Sequence, residues 1–127
     1  MNEILTTLKP EGVWKEFQGI TCVPRPSKKE AKMVAYLEQW AINHNVKYIK
    51  EECGNIIMSV PATKGMEDRQ TIILQAHMDM VCEKNSDKVH DFENDPIEAV
   101  LKGEWLYANG TTLGADDGIG VAAALAV

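Results

Sequence analysis

A histidine and an aspartate stand two residues apart in the segment Gln75-Ala-His77-Met-Asp79, directly after a run of mostly apolar residues. In an extended backbone, side chains alternate between two sides, so His77 and Asp79 point the same way. A metal-bound imidazole commonly donates its other ring N–H to a carboxylate, which orients the ring and fixes its tautomer. The spacing therefore predicts His77 as a metal ligand and Asp79 as the carboxylate that orients it. A histidine that merely ends a strand and pairs with its neighbour is the alternative, because such tripeptides are common.

Two adjacent carboxylates, Asp116 and Asp117, form a second candidate site in the segment Gly114-Ala-Asp-Asp-Gly118-Ile-Gly120. The helix dipole stabilises acidic residues at the start of a helix, which explains one of them without any ligand. Two like charges confined among three glycines ahead of an apolar helix favour a bound cation. One carboxylate is able to bridge two metal ions about 3.5–4 Å apart, as two-metal hydrolysis requires. From the residues alone, the metal role and the helix-start role both stay open.

The same segment also matches a phosphate-binding pattern. Gly118-Ile-Gly120-Val-Ala-Ala123 has the G-x-G-x-x-A spacing of dinucleotide-binding turns. That function requires a buried strand directly before the first glycine, which the sequence lacks. Asp116 and Asp117 would also repel a pyrophosphate at the start of the helix. An α/β nucleotide- or partner-binding module without catalysis is therefore kept as the alternative function.

Two helices are predicted ahead of the first candidate site. Apolar residues recur at helical spacing after Pro10, up to the break at Pro24-Arg-Pro26. Ser27-Lys-Lys-Glu30 then has the spacing of a capping box, in which the serine hydroxyl accepts from an early backbone N–H and the glutamate reaches back to the serine. The helix that this box starts is expected to end near residues 43–45.

The strands that must position the two sites come next. Alternation with period two predicts one hairpin over residues 46–60 and another over 97–108. The continuous run Thr71-Ile-Ile-Leu-Gln-Ala76 is typical of a strand covered on both faces, and it would carry His77 at its carboxyl end. Helices mixed with such a strand indicate a three-layer α/β/α domain, whose ligands bind beyond the carboxyl ends of the strands.

Composition limits the classes of function. The chain has 127 residues, and 13 basic against 19 acidic side chains give a net charge of −6. The basic residues are scattered, which excludes the clustered pattern of a nucleic-acid binder. Three widely spaced cysteines form no disulfide framework, so a cytoplasmic location is favoured. No segment resembles a signal peptide or reaches the roughly 20 apolar residues of a membrane span. Because the sequence stops inside an alanine-rich helical pattern, we expect it to be the front portion of a longer polypeptide.

Taken together, these motifs resemble the dinuclear zinc amino- and carboxypeptidases, and within that family the carnosinase-like dipeptidases. The resemblance extends over essentially the whole chain, and Gly118, where many relatives carry lysine, favours the dipeptidase subgroup. Five segments carry it: Pro24-Arg-Pro-Ser27, Gly54-Asn55, Gln75-Ala-His-Met-Asp79, Val89-His-Asp-Phe92 and Gly110-Thr-Thr-Leu-Gly-Ala-Asp116.

The resemblance implies that residues 1–127 are the N-terminal part of the α/β/α catalytic domain of a metallopeptidase. His77 would be a terminal ligand of one zinc ion, and Asp79 the carboxylate of the catalytic centre that orients it. Asp116 would bridge two zinc ions, and Asp117 would be a neighbour of the metal site rather than a ligand. The peptide bond between Asp116 and Asp117 is expected to be cis, as it often is in relatives.

The resemblance also implies a substrate and a cofactor. The full-length enzyme would hydrolyse dipeptides, of the Xaa-His type above all, with two zinc ions or with cobalt or manganese in their place. It would bind no nucleic acid and no membrane, and it would form a homodimer. The general base, the remaining ligands and a lid domain would lie beyond residue 127. The chain by itself is therefore expected to have little or no activity, and its substrate-binding residues are not predicted.

Overall fold

The computed structural model describes residues 3–127. A short 3₁₀ helix at Glu3–Thr7 is followed by helices and strands in mixed order. The regular elements are α1 (Glu11–Thr21), α2 (Ala31–Asn43), β1 (Lys47–Lys50), β2 (Ile56–Ser59), β3 (Ala99–Lys102), β4 (Trp105–Ala108) and α3 (Ala115–Leu125).

The chain divides into two compact units, which are described separately. The first contains the described residues up to Met33 together with Gln75–Val127, and the second contains Val34–Leu74. The prediction of one domain over residues 1–127 stays a prediction, and Met1 and Asn2 lie outside the described residues. No helix of residues 3–127 combines the length and the apolar character that a membrane crossing requires.

Helices α1 and α3 pack against each other in the first unit. The apolar residues predicted to line one face of α1 do so, since Phe17 and Ile20 are fully buried. Val121 and Ala122 are buried on α3. The helices come close at Gly118, where an added Cβ would lie 3.2 Å from the Phe17 ring. The absence of a side chain at Gly118 therefore allows α3 to pack closely against the Phe17 ring of α1.

Helix α2 ends at Asn43, as the sequence predicts, but its start corrects the predicted capping box. The helix begins at Ala31, and Lys28 has a left-handed φ of 71°. Ser27 therefore lies before a reversal of the chain and does not cap the helix. Glu30 accepts a hydrogen bond from the backbone N–H of Lys28 at 2.5 Å, within the loop that precedes α2.

Both predicted hairpins are confirmed. β1 pairs with β2 antiparallel, and Ile49 lies opposite Ile57. β3 pairs with β4, joined by a two-residue turn at Gly103-Glu104. Gly103 has a φ of 61°, the left-handed conformation that such short turns demand and that glycine adopts without steric cost.

The predicted buried strand at residues 71–76 is wrong. Ile72 and Ile73 are 80% and 86% exposed, and this segment forms no regular strand. The physical reason is the lack of neighbours: in residues 3–127, the only sheets are the two hairpins, and neither pairs with residues 71–76. The first backbone bridge after this segment is at Met80, which pairs in parallel with Pro26.

We expect Phe17→Ala to lower the free energy of unfolding by about 3–5 kcal/mol, because it empties a fully buried site between α1 and α3. Urea denaturation followed by circular dichroism measures the change. Val89→Ala is the control, since Val89 is 94% exposed and its truncation is expected to change stability by less than about 0.5 kcal/mol. Equal losses in the two variants would contradict the placement of Phe17 in the core.

Candidate metal centre

His77 and Asp79 form the pair that their spacing predicts. The His77 Nδ1 atom lies 3.0 Å from Asp79 Oδ1 and 3.2 Å from the Asp79 carbonyl oxygen. Although the segment before them is not a buried strand, the two side chains still meet on one side of the backbone. A hydrogen bond from Nδ1–H to the carboxylate leaves the other ring nitrogen, Nε2, as the atom available to a ligand.

Asp116 meets the opposite side of the same ring. Its Oδ1 atom lies 3.0 Å from His77 Nε2, across 39 residues of chain. The imidazole is thus held between two carboxylates. The hydrogen bond to Asp116 is the largest cause that raises the pKa of His77, and Asp79 adds to it, while partial burial works in the other direction. The Asp116 side chain is 99% exposed, so its second oxygen is accessible.

Irregular backbone at the start of α3 aims Asp116 toward His77. Gly114 precedes the helix with a φ of 71°, and Asp116 has a φ of −92° and a ψ of 104°, far from helical values. The peptide bond between Asp116 and Asp117 is cis, which confirms that prediction.

Asp117 points elsewhere. Its carboxylate lies over the backbone of its own helix, because a Cβ added at Gly120 would come within 2.3 Å of Asp117 Oδ1. Asp116, not Asp117, therefore makes the contact with His77. The role of Asp117 as a neighbour of a metal site stays a prediction.

Ser27 contacts the centre, although sequence reasoning gave it a different role. Its hydroxyl donates a hydrogen bond to Asp79 Oδ2 at 2.5 Å and lies 3.2 Å from the Met80 carbonyl oxygen. The hydrogen bond from Ser27 is the largest cause that lowers the pKa of Asp79, followed by the contribution of His77. Asp79 is thus anchored by Ser27 on one oxygen while it holds His77 with the other. The segment Pro24-Arg-Pro-Ser27, which carries the family resemblance, was the signal that could have pointed to Ser27. The capping-box spacing from Ser27 to Glu30 favoured a helix cap instead.

Arg25 is the second residue that the sequence did not single out. It is 1% exposed, and its guanidinium donates to backbone carbonyls on both sides of the site. Burial is the largest cause that lowers its pKa, and Cys82 and Asp79 oppose this effect. An arginine between two prolines in a loop carries no sequence signal of burial, because charged residues are usually exposed.

The side chains present suit a zinc ion as part of its ligand set. Zinc binds imidazole nitrogen and carboxylate oxygen, and His77 Nε2 and Asp116 Oδ1 lie side by side. The same donors also suit cobalt or manganese. Among residues 3–127, no group of three or more His, Cys, Asp or Glu side chains is arranged to hold a metal ion. Catalytic zinc usually takes three protein ligands, so these two residues would supply only part of the ligand set of such an ion.

No family model matches the chain. Over 123 residues, or 97% of the chain, it is 48% identical to the cytosol non-specific dipeptidase of Escherichia coli strain K12. Its structure matches that of the aminoacylhistidine dipeptidase from Vibrio alginolyticus with a TM-score of 0.93 and 44% identity, over 99% of the chain. A tripeptidase from Staphylococcus aureus matches 91% of the chain with a TM-score of 0.65 and 18% identity, which shows a shared fold.

These matches confirm the resemblance to dipeptidases and the α/β fold class. The chain spans 25% of the length of the Escherichia coli dipeptidase, 26% of the Vibrio dipeptidase and 30% of the tripeptidase. The similarity therefore covers nearly all of this chain and about a quarter of the curated relative.

We expect Gly114→Ala to destabilise the fold more than Gly103→Ala. Both glycines have left-handed φ values, 71° and 61°, so both substitutions carry about 1–2 kcal/mol of backbone strain. A Cβ at Gly114 would also lie 2.6 Å from Arg25 Nη2 and 2.8 Å from the Met80 sulfur, whereas nothing lies within 4 Å of one at Gly103. Urea denaturation of the two variants compares their free energies of unfolding. Equal losses would contradict the close packing of Arg25 against Gly114.

Proposed function

On the premise of this similarity to dipeptidases, we propose that the chain carries part of the dinuclear metal centre of a metallo-dipeptidase. The observation that supports the proposal best is the placement of one imidazole between two carboxylates, His77 between Asp79 and Asp116. The 48% identity to a dipeptidase over 97% of the chain supports the reaction class.

Each residue has a distinct task in this proposal. Asp79 accepts the Nδ1–H of His77, so the ring presents Nε2 as the ligand atom. Asp116 places Oδ1 beside that nitrogen, and its exposed carboxylate would also be able to hold a second metal ion. Ser27 holds Asp79 in the orientation that this arrangement needs. The carboxylates also supply negative charge that offsets the charge of a bound cation.

A zinc ion held by these residues would supply a Lewis acid that polarises the peptide carbonyl group and activates water for hydrolysis. The general base and the other ligands are assigned to residues of a longer protein. We propose dipeptides of the Xaa-His type as substrates, zinc as the working metal, a cytoplasmic location and a homodimer. The similarity to a cytosol non-specific dipeptidase and to an aminoacylhistidine dipeptidase supports the substrate class and the location.

A nucleotide- or partner-binding module is the competing function, and one contact disfavours it. The G-x-G-x-x-A turn would bring a pyrophosphate close to the backbone at Gly120. The Asp117 carboxylate already lies at that glycine, and its negative charge would repel the phosphates.

We expect the 127-residue chain to bind Zn²⁺, and His77→Ala and Asp116→Ala to weaken binding by more than about 100-fold, because each removes a ligand. Asp79→Ala is expected to weaken it about 10- to 100-fold, since loss of an orienting partner has that effect. Competition with a chromophoric chelator measures the affinities. His44→Ala is the histidine control, because His44 is exposed and stacks on Trp40. If His77→Ala, Asp79→Ala and Asp116→Ala all leave the zinc affinity unchanged, the result would favour the competing module.

We expect the chain alone to release no histidine from Xaa-His dipeptides in the presence of zinc, because it supplies only two of the ligands that the reaction needs. Chromatographic detection of free histidine tests this. The Escherichia coli dipeptidase in the same assay shows whether the conditions support hydrolysis. Measurable hydrolysis by the chain would contradict the assignment of the general base to residues outside it.

A further inference from the structure

We infer that Arg25 is a positioning residue of the metal centre: its buried guanidinium sets the separation between the His77–Asp79 segment and the turn that carries Asp116. The inference rests on the proposed metal-binding function. It concerns a residue that neither the motifs nor the reaction assigns to the site.

The guanidinium joins the two halves of the centre directly. Nη1 donates to the carbonyl oxygen of Met78 at 3.2 Å and lies 3.4 Å from that of Asp79. Nη2 donates to the carbonyl oxygen of Gly114 at 2.8 Å. Met78 directly follows His77 in the chain, and Gly114 precedes Asp116 by two residues. One rigid, planar group therefore links the backbones on either side of the contact between His77 and Asp116.

The position of the guanidinium is restricted by close packing. A Cβ at Gly114 would lie 2.6 Å from Nη2, and one at Gly118 would lie 2.8 Å from the same atom. The backbone of Arg25 is also held, since its carbonyl oxygen accepts from the N–H of Met80 at 3.0 Å. With so little free space, a displacement of the guanidinium moves the turn before Asp116.

The chemistry of the burial suggests a role beyond stability. None of the ion pairs within residues 3–127 includes Arg25, and its Nε is buried without a hydrogen-bond partner there. A buried charge and an unpaired N–H both work against folding, and well-packed apolar side chains often replace such groups without loss. An apolar side chain has no N–H donors, whereas the guanidinium reaches the carbonyl oxygens of Met78, Asp79 and Gly114 together.

Arg25→Lys tests the inference. It keeps the positive charge but replaces the planar fork by a single ammonium group, which cannot span the carbonyl groups on both sides. We expect the zinc affinity of the full 127-residue chain to fall about 10- to 100-fold, the range for loss of a group that orients ligands. The visible absorption bands of the Co²⁺-substituted chain are expected to shift, because ligand separation alters the coordination geometry.

Arg69→Lys is the matched control, because Arg69 is an exposed arginine. Within residues 3–127, its one ion pair is with its neighbour Asp68. This substitution is expected to leave zinc affinity and the Co²⁺ spectrum unchanged. A purely structural role for Arg25 predicts a different result: Arg25→Lys would lower the free energy of unfolding, yet the folded variant would bind zinc with normal affinity and give the normal spectrum. That result would overturn the inference.

Two further measurements separate a loss of folding from a loss of metal binding, and the inference from the proposed function. If Arg25→Lys is unfolded in buffer, the titrations of variant and parent are repeated in trimethylamine N-oxide, which favours the folded chain. His77→Ala is measured beside it. If His77→Ala leaves zinc affinity unchanged, the proposed function and the inference both fail. If His77→Ala weakens binding and Arg25→Lys does not, the inference alone fails.

Discussion

The buried guanidinium of Arg25 holds together the three segments from which the candidate site is built. Arg25 itself lies in the loop between α1 and α2, and it donates to the backbones next to His77 and Asp116. Each of these carbonyl oxygens would otherwise need another donor, and the charge would otherwise be buried without compensation. Residues 76–79 form no regular element, and Asp116 has non-helical dihedral angles at the start of α3. This side chain therefore contributes to their relative position, beside the backbone hydrogen bond from the Thr112 N–H to the Glu83 carbonyl oxygen.

The polar side chains of the candidate site form a connected series of hydrogen bonds. Ser27 donates to Asp79, Asp79 pairs with His77, and His77 contacts Asp116. Each carboxylate and the imidazole thus has a partner that restricts its orientation, which is the property that a metal site requires of its surroundings. The two carboxylates bring negative charge to one exposed place, and a cation would relieve their mutual repulsion.

Local structure was largely predictable from the sequence. The helices α1 and α2, both hairpins and the pairing of His77 with Asp79 follow from periodicity and short spacing, which act over a few residues. Two predictions failed where distant neighbours decide the outcome. The run at residues 71–76 has the composition of a buried strand, but strand formation needs hydrogen-bonding partners, and the two hairpins of the described chain do not supply them. Ser27 has the spacing of a helix cap, but the left-handed turn at Lys28 directs it to Asp79.

The sequence by itself determined which residue types are available for metal chemistry, His77, Asp79 and the Asp116-Asp117 pair, because short motifs encode them directly. The motif alone left the choice between the two aspartates open and the resemblance favoured Asp116, but only the tertiary structure brings Asp116 into contact with His77, across 39 residues of chain. The roles of Ser27 and Arg25 were decided in the same way. The physical reason is that hydrogen bonds between distant segments, and the burial of one charge among backbone carbonyls, depend on how the chain packs, while spacing along the sequence reports only on near neighbours.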